Sequence, residues 1–351
     1  MTKNFSPARA VRGFTLVELM VAIAIGLFLS AVTGTVYLNS RNIFNYQDAM
    51  SRLQENARFA MERISRDVRM AGFSTCGSLG GSVANTVNGG TTNWWLNLGA
   101  PIMGFDNIST PPAMAPNAAP GTDAFYVLGV GGGDISVISH NAQAATIQTT
   151  QHSIKPGSIL VITDCSQTSV FQMSGPTNTN NNATNINHNT GNTISPGNCN
   201  KELGASCPTA KAYTYLPGAT VLQLSAASYF IAPSTNPNSG NSLWTCSLEN
   251  QTGGTTACIE IINNVEDMQV QYGVDTDADQ SVNAYLDAGV VTNWANVLSV
   301  RVNLLLATPP SAGNLSSKAQ TYTFNSQLVT AQDRRVRRTY SSVINLRNRT
   351  K

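Results

Sequence analysis

Apolar and polar positions divide the chain into three regimes. Residues 19–40 carry no charged side chain, and a run of 22 residues crosses a hydrocarbon core as a helix. From Ile43 the apolar positions fall at Tyr46, Met50, Leu53, Ala57, Ala60 and Ile64. Spacings that alternate between three and four mark one face of an amphipathic helix. Asp48 with Arg52, and Glu62 with Arg66, place acid before base at i,i+4 on the polar side. No proline interrupts residues 14–100, so one helix is expected over 14–72, roughly 85 Å long at 1.5 Å per residue. Gly72 is its natural stop. Gly26 and Gly34 are weak points, each costing about 1 kcal/mol relative to alanine.

Beyond Gly72 the pattern changes to short β-type runs between Gly, Pro and Asn clusters. Strands are expected at 124–130, 135–139, 158–163, 169–173, 220–231, 257–262, 268–274, 297–306, 321–325 and 336–346. Segments 80–122 and 174–200 read as long loops. The second holds ten asparagines and reads as a surface insert. The fold class expected is α+β: a long amino-terminal helix, its apolar half membrane-spanning, packed on an antiparallel β-rich domain over 73–351.

Charge and cysteine content place these regions in a compartment. Lys and Arg number 21 against 19 Asp and Glu, a net of +2. The balance is uneven. Residues 1–13 carry three basic side chains and no acid, residues 76–332 carry 5 basic and 13 acidic, and residues 333–351 carry seven basic and one acidic. The basic leader stays in the cytoplasm by the positive-inside rule. No small-residue cleavage site follows the apolar run, so that run is expected to remain in the mature protein. The six cysteines, Cys76, Cys165, Cys199, Cys207, Cys246 and Cys258, form no C-x-x-C pair, and His140, His152 and His188 fall in no ligand spacing. Disulfides in an oxidising space are therefore a better reading than zinc.

Candidate chemistry is sparse. Glu18 is a carboxylate at the edge of an apolar helix, costly in lipid and in need of a partner. Gly129-Val130-Gly131-Gly132-Gly133 lacks the Lys-Ser/Thr of a phosphate loop and reads as a turn. No H-E-x-x-H or G-x-S-x-G motif occurs, and catalysis is not expected. Asp275, Asp277 and Asp279 begin like an EF-hand loop, but Gln280 replaces the glycine and Leu286 the bidentate acid. No other cofactor is implied, and against a structural calcium here stands a solvated acidic turn. Arg334, Arg335, Arg337 and Arg338 alternate with Val336, Tyr340, Val343 and Leu346. They read as a strand against the acidic body rather than a nucleic-acid site, since no aromatic platform accompanies them.

Gly13 followed by Phe14-Thr15-Leu16-Val17-Glu18 resembles the prepilin processing motif of type IV pilins and type II secretion pseudopilins. Leu53-Gln54-Glu55-Asn56-Ala57-Arg58-Phe59-Ala60 and Arg66-Asp67-Val68-Arg69-Met70-Ala71-Gly72-Phe73 resemble the PilW group of minor pilins. Arg334-Arg335-Val336 and Asn345-Leu346-Arg347-Asn348 resemble that group's ending. The resemblance implies a leader over 1–13 removed by a prepilin peptidase, N-methylation of Phe14, and pairing of Glu18 with a neighbour's terminal amine. It implies insertion in the inner membrane with a periplasmic carboxy-terminal domain, then assembly into a pilus with major and minor pilins. A type II secretion pseudopilin and a tip adhesin using loops 80–122 and 174–200 are the rival readings. Six cysteines allow fifteen connectivities. Cys199–Cys207 and Cys246–Cys258 are favoured because they close small loops. That leaves Cys76–Cys165, consistent with cysteines that recur in the PilW-like pattern.

Overall fold

The computed structural model describes residues 15–74, 77–78, 83–176, 182–248, 256–312, 315–316 and 318–347. Helix α1 (Leu16–Met70) is continuous, and the chain separates into two compact units, residues 1–52 and 53–351. In the first unit every described residue up to Asp48 is exposed, and the helix is long and apolar enough to cross a membrane. Three of its hydroxyls are satisfied within the helix. Ser30 Oγ donates to the Gly26 carbonyl at 2.8 Å, Thr33 Oγ1 to that of Leu29 at 2.9 Å, and Thr35 Oγ1 to that of Val32 at 2.8 Å. Such back-bonding removes the cost of carrying hydroxyls into lipid.

The second unit begins where the helical face becomes buried. Leu53, Ala57, Ala60, Ile64 and Val68 are core residues, whereas Ile43 is 57% exposed. The periodic face thus starts nearly three turns before its first buried residue. Asp48 and Arg52 pair at 2.9 Å, but Glu62 and Arg66 form no ion pair among the described residues. The helix ends against a strand: Gly72, at φ +71°, donates its N–H to the Leu128 carbonyl at 2.7 Å.

The remaining elements, in chain order, begin with β1 (Phe73–Ser74), β2 (Gly77–Ser78), β3 (Val83–Asn85), β4 (Ile102–Phe105) and β5 (Ala124–Asn141). Next come β6 (Thr146–His152), β7 (Ile159–Thr163), β8 (Thr168–Gln172), β9 (Ala183–Asn187), β10 (Thr220–Pro233), β11 (Asn241–Leu248) and β12 (Thr256–Asn263). The last are β13 (Val265–Val274), β14 (Ala284–Leu286), β15 (Val297–Ala307), β16 (Thr321–Phe324), β17 (Gln327–Thr330) and β18 (Arg337–Asn345). A ten-stranded sheet runs β3-β8-β7-β10-β5-β6-β9, with β11 and β12 extending from β10 and β4 pairing β5. All its pairings are antiparallel except β3 with β8. A four-stranded sheet runs β14-β13-β15-β18, and β16 with β17 forms a hairpin. Asp123 joins the sheets: its backbone N–H donates to the Met268 carbonyl at 2.9 Å, and its carboxylate accepts the Val270 N–H at 2.8 Å.

Three expectations need correction. The glycine run is not a turn but part of β5, which continues through it to pair with β10 across an irregularity at Val221 and Gln223. Glycine is required there by packing, since a Cβ on Gly129 would lie 2.6 Å from the Met70 carbonyl oxygen. The described part of segment 80–122 is not a free loop, because Trp95, Leu96, Leu98, Met114 and Ala115 fill a core cluster with Tyr126, Leu128 and Phe230. Nor is 174–200 wholly a surface insert: β9 lies within it, Ile186 belongs to a second core cluster, and His188 and Asn198 are buried. Asn198 bonds both ways with the Gln172 backbone, accepting its N–H at 2.7 Å and donating to its carbonyl at 2.8 Å. Asparagine amides here replace apolar contacts by satisfied hydrogen bonds, which composition does not reveal.

Candidate functional site

Gly13 and Phe14 lie outside the described residues. Immediately after them, Thr15 and Glu18 close a reciprocal capping box. Thr15 donates to Glu18 Oε2 from both its backbone N–H and its hydroxyl, each at 2.9 Å, and Glu18 returns its own N–H to Thr15 Oγ1 at 3.2 Å. The motif Thr-x-x-Glu explains the helix start. It also holds the carboxylate at the positive end of the helix dipole, the most favourable place for an anion on an apolar helix.

Cys199 is joined to Cys207 and Cys246 to Cys258. The second bond links directly opposed residues of β11 and β12. The expected third pair rests on Cys76, which lies outside the described residues.

Asp275, Asp277 and Asp279 come together, their nearest oxygens within 4.8 Å of one another. Much of their capacity is spent on the loop itself. Asp275 accepts backbone N–H groups of Asp277 at 3.2 Å, Ala278 at 2.7 Å and Gln280 at 2.9 Å. Ser281 donates to Asp279 at 2.7 Å through its N–H. Ala278 and Gln280 adopt positive φ.

The basic tail is partly neutralised. Glu266 on β13 receives Arg335 Nη1 and Arg337 Nε, each at 2.6 Å, and Asp333 also pairs with Arg337. Arg337 is 7% exposed. Arg334 and Arg338 remain exposed.

Two clusters escaped sequence reading because their members are distant in the chain. His140 and His188 face each other, Nε2 to Nε2, at 3.1 Å. The Tyr215 N–H donates to His140 Nδ1 at 3.1 Å, so His140 carries its proton on Nε2 and donates it to His188. That tautomer makes the pair a hydrogen bond between neutral rings rather than a metal clamp. Burial pushes His188 down to about 3 and lowers His140 as well. The second cluster ties helix to sheet: Tyr229 on β10 donates its hydroxyl to Asp67 of α1.

Comparison with known proteins adds two matches. The family described as Prokaryotic N-terminal methylation motif matches residues 8–34, and Type IV Pilus-assembly protein W matches residues 228–348. No curated protein and no solved structure matches the chain. The first match runs from the basic amino-terminal segment through the capping box and along the apolar helix as far as Gly34. The second runs from the middle of β10 through the four-stranded sheet and the Glu266–Arg337 cluster. A methylation motif near the amino terminus and a pilus-assembly region on one chain support a PilW-family type IV pilin.

Proposed function

We propose that this minor pilin helps initiate or cap pilus assembly, acting through helix–helix and lateral contacts rather than catalysis. The observation that carries the reading is the amino-terminal helix. Its apolar side chains, from Leu16 at 74% to Leu38 at 57% exposure, have no cover of their own and require lipid first and neighbouring helices later. Cleavage after Gly13 by the prepilin peptidase would place the new Phe14 amine one residue from the capping box. In the inner membrane the box stabilises Glu18 before assembly. In the filament the carboxylate neutralises the amine of a neighbouring pilin in a low-dielectric setting. Before assembly the disulfide-bonded domain stands in the periplasm. The adhesin reading draws less support, since segments 83–122 and 182–200 place many of their side chains in the core.

The test counts pili per cell. Deleting the protein should reduce pilus number while leaving pilus length unchanged, and wild type should restore it. Glu18→Gln, inserted and cleaved normally, should not. Normal pilus numbers in the deletion strain would refute an initiating role.

A further inference from the structure

Strand β18 ends the four-stranded sheet and pairs on one side only, with β15. Its register runs without a shift from Asn345 opposite Ser299 to Arg337 opposite Ala307. Arg337 shows which backbone groups face outward. Its N–H donates to Gln320 Oε1 at 2.8 Å and its carbonyl accepts from Gln320 Nε2 at 2.9 Å, so both groups turn away from β15. The flanking even positions face inward: the Val336 carbonyl accepts from Thr308 N–H and the Leu346 N–H donates to Leu298. Antiparallel alternation then turns the N–H and C=O of Thr339, Ser341 and Val343 outward. No strand among the described residues pairs with them.

Edges of this kind are normally blunted by charge, proline or a bulge. Residues 339–346 contain neither charge nor proline, and the pairing contains no bulge. The side chains of Thr339, Ser341 and Val343 are exposed, Val343 at 50%. Positive charge brackets this neutral stretch, with exposed Arg338 at one end and exposed Arg347 at the other. Arg347 also lines a cleft of about 390 Å³ with Arg66, Arg69, Glu62, Ser65 and Met70. Arg66 and Arg69 have no ion-pair partner among the described residues, leaving three guanidinium groups against one carboxylate.

We propose that the outer edge of β18 accepts an extended strand from a neighbouring, non-identical pilin. That strand would be neutral along its middle and carry an Asp or Glu that enters the arginine cleft. A row of alternating donors and acceptors is matched along its length by another strand, and the cleft selects the charge at its end. Pairing of β18 with β18 of a second copy would be an isologous contact that closes on itself. A filament needs heterologous contacts that propagate. The proposal rests on the lateral-contact reading above and names its surface.

The experiment compares amide hydrogen exchange of the full-length protein in detergent, alone and in the complex co-purified from cells expressing the complete set of pilins. The amides of Thr339, Ser341 and Val343 should exchange at least tenfold more slowly in the complex. Those of Arg338, Tyr340 and Ser342, bonded to β15, should be protected in both samples. Ser341→Pro removes an outward N–H and leaves the β15 ladder intact. It should keep the melting temperature of wild type yet lower recovery of the other pilins at least tenfold. Val343→Lys provides the same test should proline disturb folding. Equal exchange of the outward amides in both samples would overturn the proposal. So would protection that grows with the concentration of the protein alone, which would mean a second copy. If deletion lowers pilus number but both variants restore it, the edge is not the contact and the initiation reading stands. If deletion has no effect, that reading fails independently.

Discussion

Asp123 and the His140–His188 pair respond to acid in opposite directions. The Asp123 carboxyl is pushed up to about 7, chiefly by burial, with Asp106 and Asp267 adding to the rise and the N–H groups of Val270 and Asn107 opposing it. The folded protein therefore holds this proton more tightly than the unfolded chain. Its stabilising contribution is complete below about pH 4 and is lost as pH rises through about 7. The histidines are depressed by burial, so the unfolded chain takes up protons first, and their contribution is complete above about pH 6.5 and lost as pH falls. Asp123→Asn should remove the first slope and leave the second, so that melting temperature falls more steeply on acidification from pH 7 to 4 than in wild type. It should also cost about 1–3 kcal/mol at neutral pH, because an amide nitrogen replaces an acceptor facing a backbone N–H. Identical pH profiles for the two proteins would show that Asp123 does not titrate in this window. Neither site was visible in the sequence, since the partners of Asp123 on β13 lie far along the chain and the two histidines are 48 residues apart.

At the level of elements, α1 is held to the sheet by its buried face, by Gly72 against Leu128, and by the bond from Tyr229 to Asp67. Tyr229 is completely buried and stacks on Phe125 with ring centroids 5.3 Å apart, while burial and the Asp67 carboxylate raise its hydroxyl far above the ordinary tyrosine range. Tyr229→Phe preserves the stacked ring but strips the carboxylate of its donor. The expected loss is about 1.5–3 kcal/mol, the range for a hydrogen bond to a charged group, read as a lower denaturant midpoint with unchanged m-value. An unchanged midpoint would show that the bond contributes nothing to helix docking. The helix and most long strands were legible from periodicity, including 297–306, found as Val297–Ala307, and 336–346, found as Arg337–Asn345. The strand β11 was missed because its burial does not alternate: Ser242 with Leu243 and Thr245 with Cys246 are buried as adjacent pairs, and the polar members blur the polar–apolar contrast. Glycines at 129, 131 and 132 were taken to punctuate the chain, when their role is to admit the end of α1 and a bulge.

For the molecule as a whole, the proposed cleavage after Gly13 would convert a membrane protein into a pilin. Mass spectrometry of the membrane-extracted protein should find N-methyl-Phe14 as its first residue, and an intact Met1 end in a peptidase-competent host would contradict cleavage after Gly13. The apolar helix, the 3–4 face beyond it and the α+β class were determined by sequence alone, because each depends on near neighbours: a run without charge, a repeat of 3.6 residues, an alternation of short apolar runs with turn residues. Of the motifs that carry the family resemblance, Gly13–Glu18 and the carboxy-terminal pair fall within the matches at 8–34 and 228–348, whereas 53–60 and 66–73 fall in neither. Tertiary structure decided which turns of the helix are covered, burying Leu53 and leaving Ile43 exposed. It also drew Trp95 and His188 inward from segments that look like loops, and left β18 with one unpaired edge. Those outcomes depend on contacts between residues tens to hundreds of positions apart. Polar groups in them are buried only because a distant partner satisfies each one, and a local pattern carries no record of that partner.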